Sequence, residues 1–172
     1  AIPIMHLVPL LTDQGFSLRF ATSVLMVLMV SGAFGRIFGG ILGDRIGALP
    51  GYILMSLGQT IFVIWFPNLI SPTIIYIIAA LFGFTYSGVM SSILVCTRMM
   101  VPANYGARAM SLTSFFGWIG MGLGGFLGGY FFDIYGDYNW AFTFAGLSGV
   151  INLIILSFFF LYIRRAKKLV FN

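Results

Sequence analysis

Residues 20–42, 52–70, 72–97, 109–132 and 139–163 form five runs so apolar that Arg36 is the charge inside them. The hydrocarbon core of a bilayer is about 30 Å thick and takes roughly 20 residues of helix to cross. Within it each backbone N–H and C=O needs an internal partner, which makes the helix the form such runs adopt. The turns between them are short and polar or rich in Pro and Gly: "DRIGALPG", "FPNLISP", "RMMVPANYGAR" and "FDIYGDYN". The fold class is therefore an all-α membrane protein. Residues 1–11, "AIPIMHLVPLL", are apolar but too short to span, and the first of them is not Met. The simplest reading is the outer end of a sixth helix whose start is missing, which makes the chain a fragment of a longer protein.

Only 8% of the residues are charged, against about a quarter in soluble domains, so a water-soluble fold is close to excluded. The net charge of +5 does not mark a nucleic-acid surface. Four of the nine basic residues lie in "RRAKK" (Arg164, Arg165, Lys167, Lys168), and most of the others stand singly at segment ends. That is the pattern of membrane topology. With the tail 164–172 in the cytoplasm, the turns at Arg45 and at Arg98 and Arg108 are cytoplasmic too, and only Arg19 falls outside. Lone Cys96, in an apolar run, reads as a small packing residue.

An internal repeat emerges on shifting the sequence by 89 residues, which carries Gly39 onto Gly128. Gly39-Gly40-x-x-x-Asp44-x-x-Gly47 then lies over Gly128-Gly129-x-x-x-Asp133-x-x-Gly136, with Ser31 on Gly120 and Gly35 on Gly124. The two Asp turns fall on opposite sides of the membrane, so the chain reads as two inverted three-helix repeats, an architecture of transporter halves. Ser31, Gly35, Gly39 and Gly43 recur every fourth residue, as do Gly120, Gly124 and Gly128. Such stripes let another backbone approach closely. They serve static packing, and equally suit helices that rock against neighbours.

Gly40-Ile-Leu-Gly-Asp44-Arg45-Ile-Gly47 resembles the G-x-x-x-D-[RK]-x-G signature of the major facilitator superfamily, although Ala48-Leu49 follow where the family usually has basic residues. The resemblance covers the whole chain, as the end of helix 7 (1–11), helix 8 (20–42), helix 9 (52–70), helix 10 (72–97), helix 11 (109–132) and helix 12 (139–163) of a twelve-helix carrier. It implies that the amino-terminal six helices are the missing partner. "HLVPLLTDQGFS", the Arg36-to-Asp44 spacing and "GGYFFDIYGDYNWAF" are similar to the monocarboxylate porters and oxalate:formate antiporters. In these carriers a helix 8 arginine binds the substrate carboxylate, and Arg36 matches its position. The oxalate carriers add a helix 11 lysine. Residues 109–132 contain none, which favours a monocarboxylate over a dicarboxylate.

An arginine inside a span costs about 2.5 to 3.5 kcal/mol on insertion scales and is a functional candidate by default. Arg36 stands eight residues before Asp44, roughly 12 Å above the cytoplasmic end. Helical side chains lean toward the helix N-terminus, here toward the bilayer centre, so Arg36 is badly placed to snorkel. Tyr86 lies at a similar level and shares a helix face with Phe82, four residues away. Ser114 and Trp118 of helix 11 stand at neighbouring depths. A guanidinium donates two parallel hydrogen bonds to a carboxylate, and aromatic walls desolvate a short organic tail. These residues form the expected substrate site, with His6 as a further candidate, either ligand or proton carrier. Asp44 is expected to gate the cytoplasmic side with Gly40, Arg45 and Gly47, by accepting from a helix N-terminus of the other half or by pairing with Arg98.

The function expected is secondary transport of a small organic anion by alternating access, by proton symport or anion exchange, across a bacterial or archaeal cell membrane. No cofactor or metal is expected. A carrier of a neutral or cationic solute, with Arg36 structural, is the alternative. An intramembrane enzyme is disfavoured by the single His, the missing G-x-S-x-G elbow and the lack of paired carboxylates within the spans. A purely structural subunit would not explain Arg36 or the inverted repeat.

Overall fold

The computed structural model describes residues 2–170, with side chains through Arg165. Its helices are α1 (Ile2–Asp13), α2 (Leu18–Ile46), α3 (Ala48–Trp65), α4 (Pro72–Met100), α5 (Gly106–Tyr135) and α6 (Asn139–Val170), with single 3-10 turns at Phe66–Asn68 and Ala103–Tyr105. Five segments, containing α2 to α6, are long and apolar enough to cross a membrane.

Local chemistry sets the helix ends. The Ser17 hydroxyl accepts the Phe20 N–H at 3.2 Å and starts α2. Pro72 opens α4, where its missing N–H has no helical partner to lose. Gly136, at φ +71°, ends α5 by donating its N–H to the Phe132 carbonyl at 2.8 Å. The Asp137 carboxylate then accepts the Asn139 N–H at 2.8 Å, at the start of α6.

The helices outrun the apolar spans. Asp44 and Arg45 do not sit in a turn: they are the exposed last turn of α2, and Gly47 alone breaks the chain at φ +99°. Nothing before Gly47 requires a non-helical backbone, and Arg45 suits the negative end of the helix dipole. At 29 residues, α2 is roughly 43 Å long against a core of about 30 Å, so its polar end lies at the headgroups. After Gly47 the chain turns directly back. A Cβ on Gly51 would stand 3.3 Å from the Gly43 backbone, so the two glycines let α3 lie against α2.

The closest packing joins α2 to α4. A Cβ on Gly35 would run into the carbonyl of Phe84, one on Gly83 into the carbonyl of Leu28, and one on Gly39 would stand 2.8 Å from the Gly88 oxygen. The buried stripe on α2 is Gly32, Gly35, Gly39 and Gly43; the expected stripe had Ser31 in place of Gly32, and Ser31 is only half-buried. The second stripe is shorter than expected. Gly124 and Gly128 are buried, but Gly120 is exposed with open space around it.

Two apolar clusters hold the bundle. One gathers Leu7, Leu11, Val24, Leu28, Phe66, Ile75 and Phe142 from five segments; the other gathers Leu49, Tyr52, Met55, Val89, Cys96 and Leu156. Cys96 is buried there, in keeping with a packing role. Within the first cluster Tyr138 stacks on Phe132 at 4.6 Å. Burial, with Asp13 and Asp133 nearby, pushes its phenol above the ordinary value, so it stays neutral at physiological pH.

The repeat is visible in the packing. Residues 36 and 125 occupy matched positions in the two copies. The Arg36 carbonyl accepts from the Ser91 hydroxyl of α4 at 3.1 Å, and the Gly125 carbonyl is bonded by His6 Nε2 of α1 at 2.9 Å. Each copy thus ties its glycine-rich helix to a neighbour at the same point.

Candidate functional site

The α2–α4 seam places Arg36. Its neighbour Gly35 is pressed against α4, and a step of about 100° round the helix carries the Arg36 side chain to the edge of the seam. Arg36 itself is exposed. Ser91, bonded to the Arg36 carbonyl, fixes the height of one helix on the other.

A cavity of about 840 Å³ opens beside this seam. Arg36, Phe82, Tyr86, Ser114 and Trp118 all line it, so five of the six expected substrate residues come together. They do not contribute alike. Phe82 is 2% exposed, stands edge-on to Phe66 at 5.6 Å and stacks beneath Tyr86 at 5.6 Å. It is mainly the support for the Tyr86 ring. Trp118 projects freely at 71% exposed, while Ser114 is half-buried on the same helix.

His6 lies elsewhere. Beyond its bond to Gly125, its ring fills the space that a side chain at Gly128 would need and lies 5.3 Å from the Tyr138 ring. That arrangement joins α1 to α5.

Of the expected gating residues, Asp44 and Arg45 project from the end of α2, Gly47 makes the turn, and Gly40 has no neighbour within 4 Å of a notional Cβ. Arg98 leans over Gly106 at the start of α5, its Nε 2.9 Å from where a Cβ would be. Asp44 and Arg98 are not paired in this structure.

The sequence profile of the Major Facilitator Superfamily matches residues 1–171. The chain belongs to that superfamily. Over 171 residues it is 32% identical to "Monocarboxylate transporter 13" of Rattus norvegicus, covering 92% of this chain and 38% of the relative. The protein of the same name from Bos taurus is 32% identical over 179 residues, covering 97% and 40%. "Riboflavin transporter MCH5" of Saccharomyces cerevisiae is 36% identical over 87 residues, covering 49% of this chain and 17% of the relative. The chain thus spans about two fifths of the length of the mammalian proteins. As a facilitator-superfamily chain with five apolar spans, it is an integral multi-pass membrane protein. These relatives are eukaryotic and lend nothing to a bacterial or archaeal location.

Within this superfamily half, α3 and α6 also line the cavity and carry polar groups absent from the expected site: Tyr52, Gln59, Thr60, Ser148 and Asn152. Their spacing held a signal. Positions 52, 56, 59 and 60, like 148 and 152, share one face of a helix in otherwise apolar runs.

Proposed function

We propose that this chain is the carboxy-terminal half of a twelve-helix secondary transporter for a small organic anion, with a monocarboxylate as the substrate class. The carrying observation is a guanidinium inside an apolar span that lines the same cavity as Tyr86, Ser114 and Trp118. Two parallel N–H donors of Arg36 match the two oxygens of a carboxylate, and the low dielectric of the site strengthens that pair. The mammalian relatives carry "monocarboxylate transporter" in their names, which supports the same substrate class. Transport proceeds by alternating access between this half and the amino-terminal six helices, coupled to protons or to a counter-anion. The basic residues at Arg45, Arg98 and Arg164 support a cytoplasmic carboxy terminus.

Uptake of labelled pyruvate by the complete transporter in liposomes tests this directly. Saturable uptake, blocked by other monocarboxylates but not by their amides, is the expected result. A second reading, carriage of a neutral solute with Arg36 structural, is favoured by the name of the yeast relative. Uptake indifferent to the carboxylate would support it instead.

Two variants probe the surroundings. Tyr86→Ala removes the ring stacked on Phe82 and is expected to raise the KM for a monocarboxylate roughly tenfold, whereas Tyr86→Phe keeps the ring and changes it less than about threefold. Equal effects would show that the hydroxyl, not the ring, matters. Asp44, exposed at the end of α2, is proposed to close the cytoplasmic side against a helix N-terminus of the other half. Asp44→Asn should slow exchange roughly tenfold, as for loss of one hydrogen bond to a charged group, without lowering the melting temperature. A matching drop in melting temperature would make Asp44 a structural residue.

A further inference from the structure

We infer that the exposed side of α6 binds one anionic phospholipid, with an acyl chain in the groove between Val150 and Leu161 and the headgroup phosphate on Arg164 and Arg165. The inference goes beyond the substrate site and uses no residue of it.

The first observation is the groove. Val150, Leu153, Ile154, Ser157, Phe158 and Leu161 line it, and all belong to α6. Ser157 is exposed and small, and it stands one turn from Leu153 and from Leu161, which makes a notch between them. The other five lining side chains are apolar, so the groove suits an aliphatic chain. From Val150 to Leu161 it runs roughly 16 Å along the helix, the depth of one leaflet in a hydrocarbon core of about 30 Å.

The second observation is what stands at the end of the groove. At about 100° per residue, positions 164, 165 and 168 fall within roughly 60° of the centre of the grooved face, which therefore turns from apolar to basic where it leaves the span. The helix continues unbroken to Val170, so groove and charges keep a fixed register. Arg164 and Arg165 are both exposed, and the Arg164 guanidinium lies over the Phe160 ring at 5.5 Å. Phe160 is one turn nearer the bilayer centre and packs against the second apolar cluster. Its ring holds the charge back at headgroup level instead of letting it extend into water. No acidic residue occurs in α6, and Asp13, Asp133 and Asp137 lie at the other end of the bundle.

Orienting a helix in a membrane requires basic residues at one end, not their alignment with an apolar groove. The alignment fits a phospholipid, in which chain and phosphate are one molecule and a guanidinium can fork onto the phosphate oxygens. The cytoplasmic leaflet, where the proposed orientation puts this end, is the anionic one.

The test is native mass spectrometry of the purified, delipidated complete transporter with phosphatidylserine or phosphatidylcholine of equal chain length. The native protein is expected to hold one phosphatidylserine at least roughly tenfold more tightly than phosphatidylcholine, since each basic residue near an anionic headgroup adds about fivefold. Arg164→Gln with Arg165→Gln should remove that preference. Arg108→Gln with Lys167→Gln takes the same charge from the same end of the bundle, at positions off the grooved face, and should keep it. Ser157→Phe fills the notch without touching a charge and should weaken phosphatidylserine binding at least about threefold. Glycerophosphoserine, the headgroup without chains, should not displace the lipid; displacement would make this a soluble-phosphate site and overturn the lipid assignment. A native protein without the preference, a preference that survives in the α6 variant, or an equal loss in the charge-matched control would also overturn it. None of these outcomes depends on the transported substrate or on which side the carboxy terminus lies.

Discussion

Gly35→Ala is expected to lower the protein's melting temperature by several degrees, whereas Gly40→Ala, five residues further along the same helix, is not. The difference lies in what each new methyl meets. At Gly35 it would overlap the Phe84 carbonyl, and the backbone of α4 has no rotamer by which to retreat. The two helices would have to separate along the seam that also holds Gly39 against Gly88 and Ser91 against the Arg36 carbonyl. Overpacking of this kind costs about 1–3 kcal/mol, and backbone against backbone places it at the upper end. At Gly40 the methyl meets open space, and alanine is the better helix former by about 1 kcal/mol. The melting temperature of purified protein should fall by several degrees for Gly35→Ala and stay level or rise for Gly40→Ala. If Gly35→Ala melted like the native protein, α2 and α4 would not be packed as described.

Arg36→Lys is expected to reduce carboxylate transport at least roughly tenfold while leaving folding untouched, since it keeps the charge and loses the fork. Lysine offers a point charge on a flexible stem and cannot hold both carboxylate oxygens in one plane. The backbone around residue 36 is set by Gly35 and by the Ser91 bond to the Arg36 carbonyl, neither of which needs the guanidinium. The exposed side chain supports no core packing, so a melting temperature near that of native protein should accompany the loss. Arg36→Ala removes the charge as well, and its uptake should be lower still.

Much of the architecture was readable because the bilayer permits so few solutions. Five apolar runs had to be helices, and the repeated glycines had to let backbones meet. Where each helix ends was less readable, since polar residues such as Asp44 and Arg45 continue the hydrogen-bond ladder after the apolar run has stopped. Contacts across helices depend on rotational phase, which spacing within one helix does not give. Gly32 joins the seam while Gly120 faces open space for that reason, and His6 meets Gly125 rather than the cavity. The same limit hid the polar lining from α3 and α6. Gln59 and Asn152 are isolated polar residues in apolar runs, and only folding of α3 beside α6 brings them to one surface. Arg36 stood out because a charge in a span is conspicuous wherever its helix points.

The grip of Arg36 on the carboxylate of the transported anion is what the proposed transport stands on. Its most direct measurement is competition against labelled pyruvate uptake by a monocarboxylate and by its neutral amide, in native and Arg36→Lys transporters side by side. The native protein should prefer the acid by roughly a hundredfold, as for two charge-assisted hydrogen bonds, and the variant should lose most of that preference. A variant that transports pyruvate as well as the native protein, with the same preference for acid over amide, would contradict it.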